Sequence, residues 1–364
     1  MAEELRNEYT PDHAAHPGET LREVLAALQM TQADLARRMG RSTKHVNELV
    51  HGQSDVTPQI ANELEYVLRV PAGFWLRLQA NYLEVRERNV TRLGSPEYER
   101  WLKRFPYTEM VKLGWVNPRA DREGRVRELL QFFGVASLKA WHANYSMSDA
   151  QYRKSARTSQ HRERVAAWLR QGVIQAAEIR CSPYDERLFK EALREARSLT
   201  AEPSICAVES RLRPLCASAG VAVVVVPPLR GTRVFGATRW LAPTKALIQL
   251  STLYKRSDTL WFTFFHEAAH VLLHRKTETY VDFKEDFGSP DELAEQEANR
   301  FAENALVERG AYERFVRRGV FTEHAIRSFA QQVGVAPGIV VGRLQHDGYV
   351  ARNRFTNLLQ RYDG

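Results

Sequence analysis

Five consecutive residues in the C-terminal half, His266-Glu-Ala-Ala-His270, carry the most pointed chemistry of the chain. On a helix, side chains four apart share a face one turn from each other, so both imidazoles reach a single ion. Glu267 then points to the adjoining side, placed to take a proton from a water that such an ion activates. Between Thr259 and His274 the one formally charged side chain is Glu267, set among Leu260-Trp-Phe-Thr-Phe-Phe265 and Val271-Leu-Leu273. A helix this apolar all round is buried. An ionised carboxylate inside it is costly unless paired or linked to a metal.

Zinc requires at least three protein ligands, so a neighbouring element must supply another. Ser289-Pro290-Asp-Glu292 reads as a capping box that opens a helix with proline in its first turn. The apolar face of that helix is Ala294, Ala298, Phe301, Ala302 and Ala305. At ~100° per residue, Glu295 lies ~60° from the centre of this face and Glu297 ~100° away on the other side. Glu295 is therefore the better-placed third ligand, with Glu297 as the fallback. Asn299, one turn on, is spaced to hold a ligating histidine by a hydrogen bond. His274 sits about 6 Å beyond His270 along the axis and suits capping or substrate contact better than ligation. The longer H-E-x-x-H-x-x-G-x-x-H pattern is absent, which excludes the metzincin arrangement.

A second constellation lies near the start. Thr31 caps a helix over Gln32–Met39, Gly40 supplies the positive φ that leaves it, and Ser42 caps a second helix ending near Gly52. Leu35, Ala36, Met39, Val46 and Leu49 are its apolar positions, and Ala36 is small where two short helices cross. These are the mechanics of a helix-turn-helix whose second helix enters a DNA major groove. Ser42, Thr43, Lys44 and Asn47 are the candidates for base edges. Asn47 suits bidentate bonding to adenine, and Lys44 suits guanine or a phosphate. Gln32 and Arg41 suit positioning contacts to the backbone.

Different scaffolds must hold these two sites. Residues 1–18 read as an arm, and 19–85 as short helices separated by caps and glycines. Residues 90–218 continue helical and basic, with breaks at Ser95-Pro96, Asn117-Pro118, Gly134 and Ser182-Pro183. Trp101, Phe105, Tyr107, Trp115, Trp141 and Trp168 are interleaved with arginines and lysines there. They are spaced like helix cores rather than base-stacking platforms. Val221–Val226 is the first convincing strand, followed by candidates at Thr232–Gly236 and Ala246–Leu250 and by helices near 258–275, 290–307 and 322–333. The expected fold is mainly α with an α+β C-terminal domain. Its division is a helix-turn-helix bundle at 1–88, a helical basic connector at 89–204 and a zincin-like fold with a small sheet at 205–364.

Composition agrees with two or three folded domains: 364 residues, 44% of them hydrophobic, with a formal charge of +8 that favours a polyanionic partner. Cys181, Cys206 and Cys216 form no C-x-x-C pair, which fits a reducing compartment. No apolar run approaches the ~20 residues of a membrane span, and the polar N-terminus is unlike a secretory signal. A cytoplasmic protein is expected.

Two resemblances sharpen this. His16-Pro-Gly-Glu-Thr-Leu21, Thr31-Gln-Ala-Asp-Leu-Ala36, His51-Gly52 and Phe74-Trp-Leu-Arg-Leu-Gln79 closely resemble the HigA-type antitoxins of the XRE group, over about residues 13–88. That implies a dimeric module that binds double-stranded operator DNA, often repressing its own operon. Trp261-Phe-Thr-Phe-Phe-His-Glu-Ala-Ala-His-Val-Leu-Leu-His274, Val281-Asp282 and Glu295-Gln-Glu-Ala-Asn-Arg-Phe-Ala302 resemble the ImmA/IrrE-type metallopeptidases, over about 205–345. That stretch includes Ala336-Pro-Gly-Ile-Val-Val-Gly-Arg-Leu-Gln345. The second resemblance implies Zn2+ held in a gluzincin-like site and, in some relatives, cleavage of a partner repressor. The usual Leu-Met-Pro after the ligand helix is Leu306-Val307-Glu308 here, and the usual glycine inside the histidine motif is Ala269. The expected function is a homodimeric repressor with a zinc endopeptidase domain. The rival readings are a regulator whose metal fold senses or dimerises, and an antitoxin that masks a toxin.

Overall fold

The computed structural model describes residues 15–90, 93–145, 162–253, 255–274, 280–283 and 292–362. Contacts divide the chain into Met1–Ser95 and Pro96–Gly364. The expected capping residues Ser289 and Pro290 lie outside the described residues.

Among the described residues the first unit holds five helices: α1 Pro17–Ala27, α2 Gln32–Met39, α3 Thr43–Val50, α4 Pro58–Leu68 and α5 Ala72–Val90. Local chemistry sets their ends. The Thr31 and Ser42 hydroxyls accept from the amides of Asp34 and His45, capping α2 and α3, and Gly40 leaves α2 at φ 67°. Their apolar faces meet in a core of Leu35, Ala36, Val46, Leu49, Leu64 and Trp75. The expected arm is shorter than 18 residues, because His16 already caps α1: its Nδ1 accepts from Gly18 N at 2.9 Å. Gly18 is required by close approach, since a Cβ there would sit 2.2 Å from the Leu49 carbonyl oxygen.

The second unit opens with α6 Pro96–Leu102, α7 Tyr107–Lys112, α8 Arg122–Phe133, α9 Leu138–Tyr145, α10 Arg162–Glu178, α11 Glu186–Ala196 and α12 Ile205–Ala217. A four-stranded sheet in the order β1-β3-β2-β4 follows: β1 Val221–Val226, β2 Val234–Ala242, β3 Lys245–Ser251 and β4 Tyr280–Phe283. β1 runs parallel to β3, and β2 is antiparallel to both β3 and β4. The remaining helices are α13 Ser257–Leu273, α14 Glu292–Leu306, α15 Arg309–Arg317, α16 Glu323–Val333 and α17 Pro337–His346. No helix among the described residues is long and apolar enough to cross a membrane.

The continuous apolar run of β1 follows from burial on both faces. Val221 and Val223 join Trp261, Phe264 and Phe265 of α13, whereas Ala222, Val224 and Val226 join Val165 and Trp168 of α10. Helix α10 is bolted to the sheet. Trp168 Nε1 donates to Val226 O at 3.0 Å, Gln249 Nε2 to Trp168 O at 2.7 Å, and Lys245 Nζ to the carbonyls of Ala176 and Ile179 at 2.7 Å each. Part of the segment read as a connector is therefore a layer of the sheet domain, and no boundary between compact units falls at 204/205. The aromatics of that segment are core: Trp101, Phe105, Tyr107, Trp141 and Trp168 are buried, with Trp101, Phe105 and Trp141 packed edge to face.

Long-range caps close the C-terminal helices. Arg197 Nη2 donates to Leu306 O at 3.2 Å and Val333 O at 2.7 Å, and Arg343 Nη1 to Glu303 O at 3.1 Å and Val307 O at 2.9 Å. Glu308, at a departure from the resembled family, caps α15 by accepting from the amides of Gly310 and Ala311 at 3.0 Å each. Tyr362 anchors the tail on α13: its amide donates to Lys255 O, and Trp261 Nε1 donates to its hydroxyl at 3.1 Å.

Candidate metal centre and nucleic-acid interface

Helix α13 lies beneath the sheet, with residues 263–271 buried throughout. His266, Glu267 and His270 are 3%, 0% and 2% exposed, so the polar groups of the motif sit within the core. The neighbouring α14 brings Glu295 to the histidines. One ligand atom from each of His266, His270 and Glu295 lies within 4.8 Å of the others. His266 Nε2 is 3.1 Å from His270 Nε2 and 3.2 Å from Glu295 Oε2, and His270 Nε2 is 3.8 Å from Glu295 Oε1. Tetrahedral zinc with bonds of about 2.0–2.1 Å sets its ligand atoms roughly 3.3 Å apart, so these residues fit that ion.

Asn299, also on α14, places Oδ1 3.0 Å from His266 Nδ1. The amide oxygen accepts, so the ring proton of a neutral His266 is on Nδ1 and Nε2 presents its lone pair. Glu297 faces elsewhere: its Oε2 is 3.4 Å from His274 Nε2. His274 ends α13 as its C-cap residue, and its Nδ1 is 2.8 Å from His270 Nδ1.

Glu267 packs under β2. The Thr238 hydroxyl is 2.6 Å from Glu267 Oε2 and 3.0 Å from its backbone carbonyl. At Gly236 a Cβ would lie 2.6 Å from both Glu267 Oε1 and Thr263 Cγ2, so only glycine lets the strand pass over the carboxylate. Sequence reading missed Thr238 and Gly236. Their signal was small residues two apart on one face of a strand, which is legible only once that strand is known to cover α13.

In the first unit, Ser42, Thr43, Lys44 and Asn47 are all exposed at the start and along the outer face of α3. Asn47 Nδ2 donates to Gln32 Oε1 at 3.2 Å, linking the two helices of the motif, and Lys44 Nζ is 3.9 Å from Glu48 Oε1. Arg41 is drawn away from this group. Its guanidinium donates to both carboxylate oxygens of Glu63 on α4, at 2.9 and 2.8 Å. That fork holds the Glu63 carboxyl below its ordinary pKa. Arg41 thus fixes the turn against α4.

A model of the IrrE N-terminal-like domain, peptidase family M78, matches residues 232–345. The search of curated proteins finds no match. The N-terminal part is similar to solved antitoxin structures. Antitoxin HigA of Pseudomonas aeruginosa, described with the higBA promoter, is 31% identical over 22% of this chain and 87% of that chain, with a TM-score of 0.21. PA4674 of the same organism, crystallised with its operator DNA, is 32% identical over 21% of this chain and 85% of that one, with a TM-score of 0.21. Antitoxin GraA is 33% identical over 21% and 85%, again at 0.21. The N-terminal part of the chain is thus similar to HigA-type antitoxins, and residues 232–345 match the IrrE N-terminal-like domain of the M78 peptidases.

Proposed function

We propose that the protein is a homodimeric operator-binding repressor joined to a zinc-dependent endopeptidase whose substrate is a partner regulatory protein. The observation that carries the peptidase reading is the convergence of His266, His270 and Glu295 within 4.8 Å, beside the fully buried Glu267. Zinc there supplies Lewis-acid polarisation of the scissile carbonyl and activation of water. Glu267 accepts the proton of the attacking water and passes it to the leaving amine. Thr238 orients Glu267 through its 2.6 Å hydrogen bond, and Asn299 keeps His266 in the ligating tautomer. The test is zinc per chain by elemental analysis, together with cleavage of an internally quenched peptide library. One zinc and measurable cleavage are expected, and His270→Ala loses both. Stoichiometric zinc without cleavage would leave a regulator whose metal fold senses or dimerises, and absence of zinc would remove the peptidase altogether.

The DNA reading is supported by the exposed Thr43, Lys44 and Asn47 on one helix and by relatives described with operator or promoter DNA. Gln32 braces Asn47, which orders that amide before DNA arrives. Asn47→Ala is expected to relax base preference at one operator position by about 1–3 kcal/mol. Lys44→Ala should weaken binding to all sequences and lower the salt slope by about 1. Mobility-shift competition over single-base operator variants distinguishes the two. A uniform loss for Asn47→Ala would assign that residue to the phosphate backbone instead.

A further inference from the structure

We propose that His274 and Glu297 form a hydrogen-bonded relay that fixes the tautomer and aim of His270, making the histidine at the C-cap of α13 a positioning residue. This rests on the reading of His266, His270 and Glu295 as zinc ligands. His270 Nε2 faces His266 Nε2 at 3.1 Å and Glu295 Oε1 at 3.8 Å, so Nε2 is the nitrogen that presents a lone pair to the ion. A neutral imidazole has one N–H, and His270 therefore carries it on Nδ1. That Nδ1 is 2.8 Å from His274 Nδ1. A bond between two ring nitrogens needs one donor and one acceptor, so His274 Nδ1 accepts and the His274 proton sits on Nε2. Nε2 in turn is 3.4 Å from Glu297 Oε2, an atom that only accepts.

Each polarity along this line is set from the ion outward. The inner link is enclosed and the outer end meets solvent: the side chain of His274 is 8% exposed and that of Glu297 54%. A division of labour on α14 follows. Glu295 ligates, Asn299 holds His266 directly, and Glu297 holds His270 through His274. Glu297, the fallback ligand on sequence grounds, acts two hydrogen bonds removed from the ligating His270.

The experiment measures the zinc dissociation constant of the full chain by chelator competition, with the cobalt(II) absorption spectrum as a second readout. His274→Ala is expected to weaken zinc about 10–100-fold and to alter the cobalt bands. His274→Asn, whose amide oxygen accepts from His270 Nδ1–H, should recover most of that loss, and Glu297→Gln should show a smaller loss in the same direction. Wild-type zinc affinity in His274→Ala, or equal losses in the Ala and Asn variants, overturns the relay. Should His274→Ala fail to fold by circular dichroism, Glu297→Gln decides, and an unchanged constant there overturns it. If the wild type takes up no zinc, or His266→Ala binds it as tightly, the metal reading itself falls. The relay falls alone when His266→Ala loses zinc and His274→Ala keeps it.

Discussion

Glu267→Gln is expected to abolish peptide hydrolysis while leaving zinc uptake and the fold intact. A general base of this kind contributes typically about 10²–10⁴-fold, and an amide cannot replace it because its oxygen is far too weak a base. The structure makes this substitution unusually clean. Thr238 Oγ1 lies 2.6 Å from the carboxylate and can donate as well to a glutamine oxygen, and Gly236 leaves room for a side chain of the same size. Turnover of the quenched peptide library, corrected for zinc content, is the measurement. Turnover within a few-fold of wild type would take Glu267 out of the chemistry and would favour the regulator reading.

Trp261→Ala is expected to cost the second unit about 3–5 kcal/mol, the largest stability loss foreseen for a single truncation. Trp261 is fully buried, packs edge to face on Phe264 at 5.8 Å and donates to the Tyr362 hydroxyl at 3.1 Å. Its removal leaves a void beneath the sheet and takes a donor from the group that ties the tail to α13. With urea slopes of about 2–3 kcal/mol/M, the unfolding midpoint should fall by roughly 1–2 M. A shift under half that would mean that the surrounding helices collapse into the space. Zinc affinity, measured on the variant below its transition, separates loss of packing from loss of the metal centre.

Legibility in the sequence tracked the range of the forces involved. Helices α2 and α3 and the turn between them were readable because Thr31, Gly40 and Ser42 act within three or four residues of themselves. Periodicity alone favoured Glu295 over Glu297 as the inward-facing carboxylate; Glu295 lies within 4.8 Å of His266 and His270, and Glu297 Oε2 lies 3.4 Å from His274 Nε2. Strand β4 was missed and β2 was read short, since Val281 pairs with Ala237 across more than forty intervening residues and neither stretch alternates clearly. The burial of α10 was hidden for the same reason: Trp168 and Val165 look like any helix core until β1 is laid against them. The Arg41 fork to Glu63 likewise depends on α4 arriving from elsewhere.

The Arg197 clasp has a consequence for assembly on the ribosome. One guanidinium stops the open carbonyls of two helices that end 109 and 136 residues later in the chain. During vectorial synthesis the arginine emerges long before either of its acceptors exists, so the sheet domain cannot lock until residue 333 has left the exit tunnel. The N-terminal bundle, whose helices α1 to α4 carry local caps, is free to mature first.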